Sequence, residues 1–187
     1  MERTDDGEGL LRLTASVGPD DVPVVGLPDG RRLRAGEAVT DEALSAYVGR
    51  PVTLGRERDA PHHDEGPLHL VTTSSLAAAA RALGADVPAA RLRPNLVLDT
   101  GAALGLVEDG WVGHRLAVGD EVLLDVRGAM ERCVMVGLDQ VGLPTEPGLL
   151  RTLARLNETC LGVVLDVARG GVVRVGDPVH MVGPRPG

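Results

Sequence analysis

Val112-Gly113-His114-Arg115-Leu116-Ala117-Val118-Gly119-Asp120-Glu121-Val122-Leu123-Leu124-Asp125-Val126-Arg127-Gly128-Ala129-Met130-Glu131-Arg132-Cys133-Val134-Met135-Val136 is the stretch whose reading decides the fold. Val, Leu and Ala recur in short runs, and Gly119-Asp120 and Gly128 punctuate them. Short β-branched runs separated by Gly and Asp read as strand after strand. The stretch therefore predicts a meandering β region.

Outward from it the pattern is the same, with three helical stretches. Leu10 to Thr14 and Val22 to Leu27 read as strands. Pro28-Asp29-Gly30 supplies a turn, and Arg31 to Arg34 returns as a third strand. Thr40-Asp41-Glu42 marks a helix start, and Gly49 before Pro51 marks its stop. Val52 to Leu54 reads as a strand, followed by a polar loop from Arg56 to Gly66. Leu68 to Thr72 is a strand running into a helix, Ser75 to Leu83, capped by Thr73 or Ser74 and ended by Gly84. Asn95 to Asp99 reads as a buried strand. Leu149, Leu150, Leu153 and Leu156 lie at helical spacing, so Gly148 to Asn157 is the third helix. Leu161 to Ala168 is a strand. After the Gly170-Gly171 turn, Val172 to Val175 and Val179 to Val182 read as a closing hairpin. Many strands without regular strand–helix alternation favour a mainly β, barrel-like fold with a few helices over a doubly wound sheet.

Composition narrows the function classes. The 187 residues suffice for one domain with a smaller appended part, here residues 1–60 before 61–187. There is no phenylalanine, one tryptophan and one tyrosine, so the core must be built from Leu, Val and Ala. A net charge of −8 argues against a nucleic-acid binder, which needs a basic face. So few aromatics leave no stacking platform for single strands. No apolar run approaches membrane-spanning length, and the polar, acidic start does not resemble a signal peptide. Two cysteines suit a reducing cytoplasm and are too few for an iron–sulfur cluster. Any electrons used must come from outside the chain.

Cys133 is the leading chemical candidate. Arg132 stands directly before it, and a thiol beside a guanidinium is biased toward thiolate, the form that attacks electrophiles and binds soft metals. Cys160, between a helix and an apolar strand, reads as core. His62-His63-Asp64-Glu65 places adjacent ligand types on a polar loop, where they converge poorly, so it reads as solvated. Trp111 reads as a barrel-mouth or core anchor. Asp125 and Asp139 are proton-transfer candidates only if they line a pocket.

Five pieces in order carry a resemblance: Arg93-Pro94-Asn95-Leu96-Val97-Leu98, Glu108-Asp109-Gly110-Trp111-Val112-Gly113, Leu116-Ala117-Val118-Gly119-Asp120, Glu131-Arg132-Cys133 and Gly176-Asp177-Pro178-Val179. Together they resemble the MOSC domain, the C-terminal domain of molybdenum cofactor sulfurases and the body of the amidoxime-reducing proteins. The likeness spans about Leu68 to Val182. Leu13 to Leu54 resembles the second half of the β-rich region that precedes MOSC in those proteins, through Leu27-Pro28-Asp29-Gly30-Arg31 and Leu44-Ser45-Ala46-Tyr47-Val48-Gly49-Arg50-Pro51.

The resemblance implies a MOSC-type β-barrel preceded by a partial β-rich subdomain. It implies that Cys133 ligates molybdenum of a pyranopterin cofactor (molybdopterin), with Arg132 beside it. It implies that Arg93 and Asn95 hold the cofactor's phosphate and pterin, and that Thr72 and Ser75 lie on a hydroxyl-bearing loop that approaches it. An arginine fork suits a phosphate, and an asparagine amide suits a pterin edge. The activity so implied is oxidoreduction of small N-hydroxylated substrates, with electrons from a separate flavin or iron–sulfur protein. Two alternatives are a sulfur carrier whose Cys133 takes a persulfide from a cysteine desulfurase, and a non-catalytic truncated homologue. The chain departs from the family by having no lysine, hence no Lys-Ser strand at its start, and by placing Glu131 where reductases have a small hydroxyl residue. The first departure implies a start site assigned too far downstream or a truncated homologue, with an open barrel edge through which copies could pair.

Overall fold

The computed structural model describes residues 9–55, 63 and 65–185. The chain divides into two units, Met1–His62 with Gly137–Glu146, and His63–Val136 with Pro147–Gly187.

In the first unit a 3-10 helix, Leu10–Arg12, precedes β1 (Thr14–Val17), β2 (Pro23–Gly26) and β3 (Arg32–Arg34). These form an antiparallel sheet in the order β1-β2-β3. Helix α1 (Ala38–Val48) follows and stops at Gly49, whose φ of 79° is the left-handed conformation that glycine adopts most cheaply. Leu27, Leu33 and Ala43 make a small core, against which Leu13 and Tyr47 pack. Two expectations fail here. Leu10 to Arg12 is helical because each carbonyl turns back on the chain, the Arg12 and Leu13 N–H groups donating to Gly9 and Leu10. Val52 to Leu54 is no strand: the Val52 N–H donates to Ser45 Oγ and the Leu54 N–H to Asp41 Oδ1, so helix α1 takes the donors a strand partner would have used.

The second unit is built on one curled six-stranded sheet. Its elements are β4 (Leu68–Thr72), α2 (Thr73–Leu83), α3 (Ala89–Leu92), β5 (Leu96–Leu98), a 3-10 helix (Val107–Trp111), β6 (His114–Val118), β7 (Val122–Glu131), a 3-10 helix (Val134–Gly137), α4 (Leu149–Asn157), β8 (Cys160–Arg169) and β9 (Val179–Pro184). The strand order is β5-β4-β8-β7-β6-β9, parallel only between β4 and β5. The fold is thus sheet-rich with four α-helices, a half-barrel in keeping with the expected mainly β class.

Side chains that alternate along each strand serve two cores. Leu70, Leu116, Leu124, Val126, Val163 and Leu165 fill one side, with Trp111 packed against them as a partly buried core contact. Val71, Ala79, Leu92, Leu149, Leu153 and Leu161 fill the other, where α2 and α4 cover the sheet. Leu149 and Leu153, four residues apart on α4, are both fully buried, as the leucine spacing predicts. With no phenylalanine, small branched side chains at close spacing supply all of this packing.

The end of the chain differs from expectation. Val172 to Val175 forms no strand, so the predicted hairpin is absent; β9 instead crosses to pair with β6, Val118 opposite Val179. The loop between is held by its own groups, Arg174 N–H donating to Asp177 Oδ2 at 2.7 Å. Val134 to Val136 is likewise 3-10 rather than strand, because the Val136 N–H turns back to the Cys133 carbonyl.

Candidate functional site

The sequence places Cys133 at a change of structure. Strand β7 ends at Glu131, and the Arg132 N–H makes one further cross-strand bond, to Thr159 O at 3.1 Å. The 3-10 helix begins at Val134, so Cys133 stands at the corner, exposed and free. Its neighbour is turned the other way.

Arg132 is 7% exposed and holds three elements together. Its Nε and Nη2 donate to Leu161 O at 2.9 and 2.6 Å, and its Nη1 donates to Leu92 O at 3.2 Å. Nη2 also donates to the His69 ring. A guanidinium can only donate, so the facing ring nitrogen must be an unprotonated acceptor. Burial first, and the Arg132 charge second, push His69 down to about 3. Burial likewise lowers Arg132 to about 10. All four of its hydrogen bonds go to neutral acceptors.

His69 is the hub that joins the other candidates. Its backbone N–H donates to Asn95 Oδ1 at 2.8 Å, and its carbonyl accepts from the Asn95 N–H at 2.9 Å. Its ring lies against the carbonyls of Leu161 and Arg93. Gly162, φ +85°, makes room for this arrangement: a Cβ there would stand 2.5 Å from Leu70 O and 2.6 Å from His69 Nε2. Arg93 caps α3 in the left-handed region at φ 54°, although it is neither glycine nor asparagine and precedes a proline. Such a conformation costs about 1–2 kcal/mol and is retained where the surroundings demand it. The Arg93 side chain is exposed, as is Asn95. Arg93, Asn95, Arg132 and Cys133 are therefore linked through Leu92 and His69 into one corner of the sheet.

Thr72 and Ser75 form a separate, fully buried cluster behind that corner. Thr72 is the N-cap of α2, its Oγ1 accepting from the Ser75 N–H at 3.1 Å; the sequence pointed one or two residues too late, to Thr73 or Ser74. Both hydroxyls then donate to Glu108 Oε2, Thr72 at 2.8 Å and Ser75 at 2.6 Å, and the Thr72 N–H reaches Glu108 Oε1 at 3.4 Å. Glu108 is wholly buried, so these donors compensate a carboxylate removed from water. Next to it, burial pushes the Asp109 carboxyl up, against a hydrogen bond from Asn157 Nδ2 at 2.8 Å that lowers it.

The remaining candidates lie apart from this corner. Asp125 is held below the usual carboxylate range by a bidentate bond from Arg115 across the strand pair, at 2.7 and 2.9 Å. Asp139 pairs with Arg12 at 3.3 Å in the first unit. His62 and Asp64 lie outside the described residues, and among the described residues no three His, Cys, Asp or Glu side chains are grouped to hold a metal ion. Among the described residues no helix is long and apolar enough to cross a membrane. His69 and Glu108 are the residues that the motifs did not single out for a role. A histidine inside the apolar strand Leu68–Thr72 and a carboxylate beside Val107 are the polar interruptions that could have marked them.

A search of solved structures finds the YuaD protein from Bacillus subtilis, 20% identical with a TM-score of 0.52, the match covering 64% of each chain. It also finds YiiM from Geobacillus stearothermophilus, 17% identical with a TM-score of 0.48, covering 62% of this chain and 53% of that one. The chain thus spans less than two thirds of either protein. No curated protein sequence matches it. The family model described as the MOSC domain matches residues 57–180, two thirds of the sequence, including every residue of the corner around Cys133. The chain belongs to the MOSC domain family.

Proposed function

We propose that this protein binds a molybdenum–pterin cofactor through Cys133 and acts as an oxidoreductase on small N-hydroxylated compounds. The observation that carries the reading is the exposed Cys133 thiol in the same bonded corner as two exposed side chains, Arg93 and Asn95. The donor set fits the group. A thiolate is a soft ligand for a redox-active metal, a guanidinium matches a phosphate, and an amide edge matches a pterin. Arg132 would act from behind, as a fixed positive charge beside the ligand and as the tie that positions the turn after β7. Thr72 and Ser75 would act through the α2 N-terminus, since their hydroxyls are committed to Glu108. When bound, the cofactor would supply two-electron oxygen-atom transfer, with reducing equivalents from a separate flavin or iron–sulfur protein.

The exposure of Cys133 also favours a second reading, a sulfur carrier loaded by a cysteine desulfurase. One experiment separates the two. The protein is expressed with molybdate, purified and analysed for metal, pterin and intact mass before and after cyanide. Molybdenum and pterin that disappear in Cys133→Ala support the first reading. A cyanide-labile sulfur on Cys133 without metal supports the second, and neither adduct removes both.

A further inference from the structure

Arg91 is a buried cation that neither reading uses. It belongs to the short helix α3 and reaches the turn that follows Cys133. Its Nη1 donates to the Val136 carbonyl at 3.2 Å, between buried partners. Val136 closes the 3-10 turn that begins beside the site thiol. Its own N–H donates to Cys133 O at 3.4 Å, and its side chain lies in the same core as Leu92. One residue along α3, a bond runs the other way. The Leu92 carbonyl accepts from Arg132 Nη1 at 3.2 Å, on the near side of the thiol. Two consecutive residues of α3 thus hold the residue before Cys133 and the third residue after it.

We propose that Arg91 is the positioning residue of the site thiol. Through Val136 it ties the Cys133 turn to the helix whose next residue is Arg93, so that the thiol and the exposed guanidinium are carried on one bracket. A single 3-10 turn cannot hold itself. Its bonds are poorly aligned, and its last carbonyls have no acceptor role within the turn. Arg132 fixes the chain before the thiol, and Val134 and Met135 beyond it are exposed. Val136 is therefore where the core grips the far side. Its buried carbonyl needs a donor, and Arg91 supplies a charged one from a distant part of the sequence.

The other end of the bracket is equally defined. The Arg93 N–H donates to Ala90 O at 3.1 Å and closes α3. Arg91 and Leu92 face inward, whereas Arg93, in the left-handed region, lies exposed. The group proposed to hold phosphate and the group proposed to hold metal are thereby kept at a set separation. The proposal rests on the molybdenum reading for what the bracket serves, and not for the bracket itself.

The test uses the full-length chain expressed without molybdate, with Cys160→Ser so that a nitroxide methanethiosulfonate label attaches at Cys133 alone. With Arg91 present, the electron paramagnetic resonance spectrum should show an ordered label. In Arg91→Met the label should move several-fold faster, and Arg91→Lys, which keeps a donor, should return most of the order. Amide exchange at Val118 and Leu165, in the sheet, should stay at the rates of the parent protein. Unchanged label motion in Arg91→Met overturns the proposal. So does a matching rise in exchange at Val118 and Leu165, which marks a general loss of stability. Should Arg91→Met fail to fold, the wild-type protein decides. Its hydrogen-bonded Arg93 and Val136 amides should be equally protected from exchange, and a Val136 amide more than about tenfold less protected overturns the coupling. Neither measurement needs the cofactor. The bracket can fail while Cys133→Ala still abolishes molybdenum binding, or hold while it does not.

Discussion

Arg132 donates twice to one carbonyl, Leu161 O, from Nε at 2.9 Å and from Nη2 at 2.6 Å. This fork clamps the end of β7 to the start of β8, and it directs the guanidinium away from solvent. Replacing Arg132 by Ala removes three donations to the buried carbonyls of Leu161 and Leu92. Each such loss costs about 1–3 kcal/mol, so Arg132→Ala should unfold at clearly lower urea. Arg132→Lys should recover less than half of the loss, because an ammonium cannot reproduce the planar fork. Equilibrium urea unfolding of the two variants checks both statements.

His69 gives a pH dependence with a fixed sign. Its pKa in the folded protein is about 3, against an ordinary value of 6.5. The unfolded chain therefore binds more protons between those values. The stability contribution is complete above about pH 6.5 and falls as pH drops toward 3, by up to about 1.4 kcal/mol per pH unit inside the window. Urea midpoints from pH 7 to pH 4 for wild type and His69→Gln should converge, because glutamine does not titrate. Parallel slopes for the two proteins would remove His69 as the cause.

Glu108 offers a graded test of the buried cluster. Glu108→Ala strands the Thr72 and Ser75 hydroxyls and opens a cavity, a loss of about 3–5 kcal/mol. Glu108→Gln keeps the shape, and the hydroxyls can reverse their roles, so about 1 kcal/mol is expected. Thermal denaturation followed by circular dichroism distinguishes them.

Arg93 should show opposite effects on stability and loading. Arg93→Gly relieves the left-handed strain at φ 54° and should gain about 1 kcal/mol. The same change removes the exposed guanidinium proposed to hold phosphate, so pterin retained through purification should fall. Unchanged pterin content in that variant would mean that Arg93 holds nothing.

Gly162→Ala should be among the most damaging single changes in the chain. A Cβ 2.5 Å from Leu70 O meets backbone rather than a movable side-chain tip, and φ +85° penalises any side chain. A loss of more than about 3 kcal/mol, or insoluble expression, is expected.

Much of this was legible in the sequence, for identifiable reasons. Strands β4, β5 and β8 and helices α2 and α4 were read to within a residue or two, because each has clean periodicity and a Gly, Pro or Thr boundary. The elements misread are those in which local hydrogen bonds override β-branched composition. Val134 to Val136 and Val172 to Val175 look like strands by residue type, yet the Val136 N–H turns back to Cys133 O, and the Val172 and Arg174 N–H groups go to the side chains of Glu121 and Asp177. Cys133, Arg93 and Asn95 were singled out by motif order. That Arg132 faces inward, and that Thr72 and Ser75 serve Glu108, depends on contacts 29 to 40 residues apart, which periodicity does not encode.

The aromatic poverty of the chain has an optical consequence. Trp111 ends the same 3-10 helix that carries Glu108 and packs on the sheet of the second unit. Tyr47 belongs to the first unit, its hydroxyl donating to Gly9 O at 2.8 Å. Each unit thus carries one intrinsic chromophore and no other of its kind. Excitation selective for indole reports on the second unit, and the phenol reports on the first. Native fluorescence can therefore follow the melting of the two units separately, without a label.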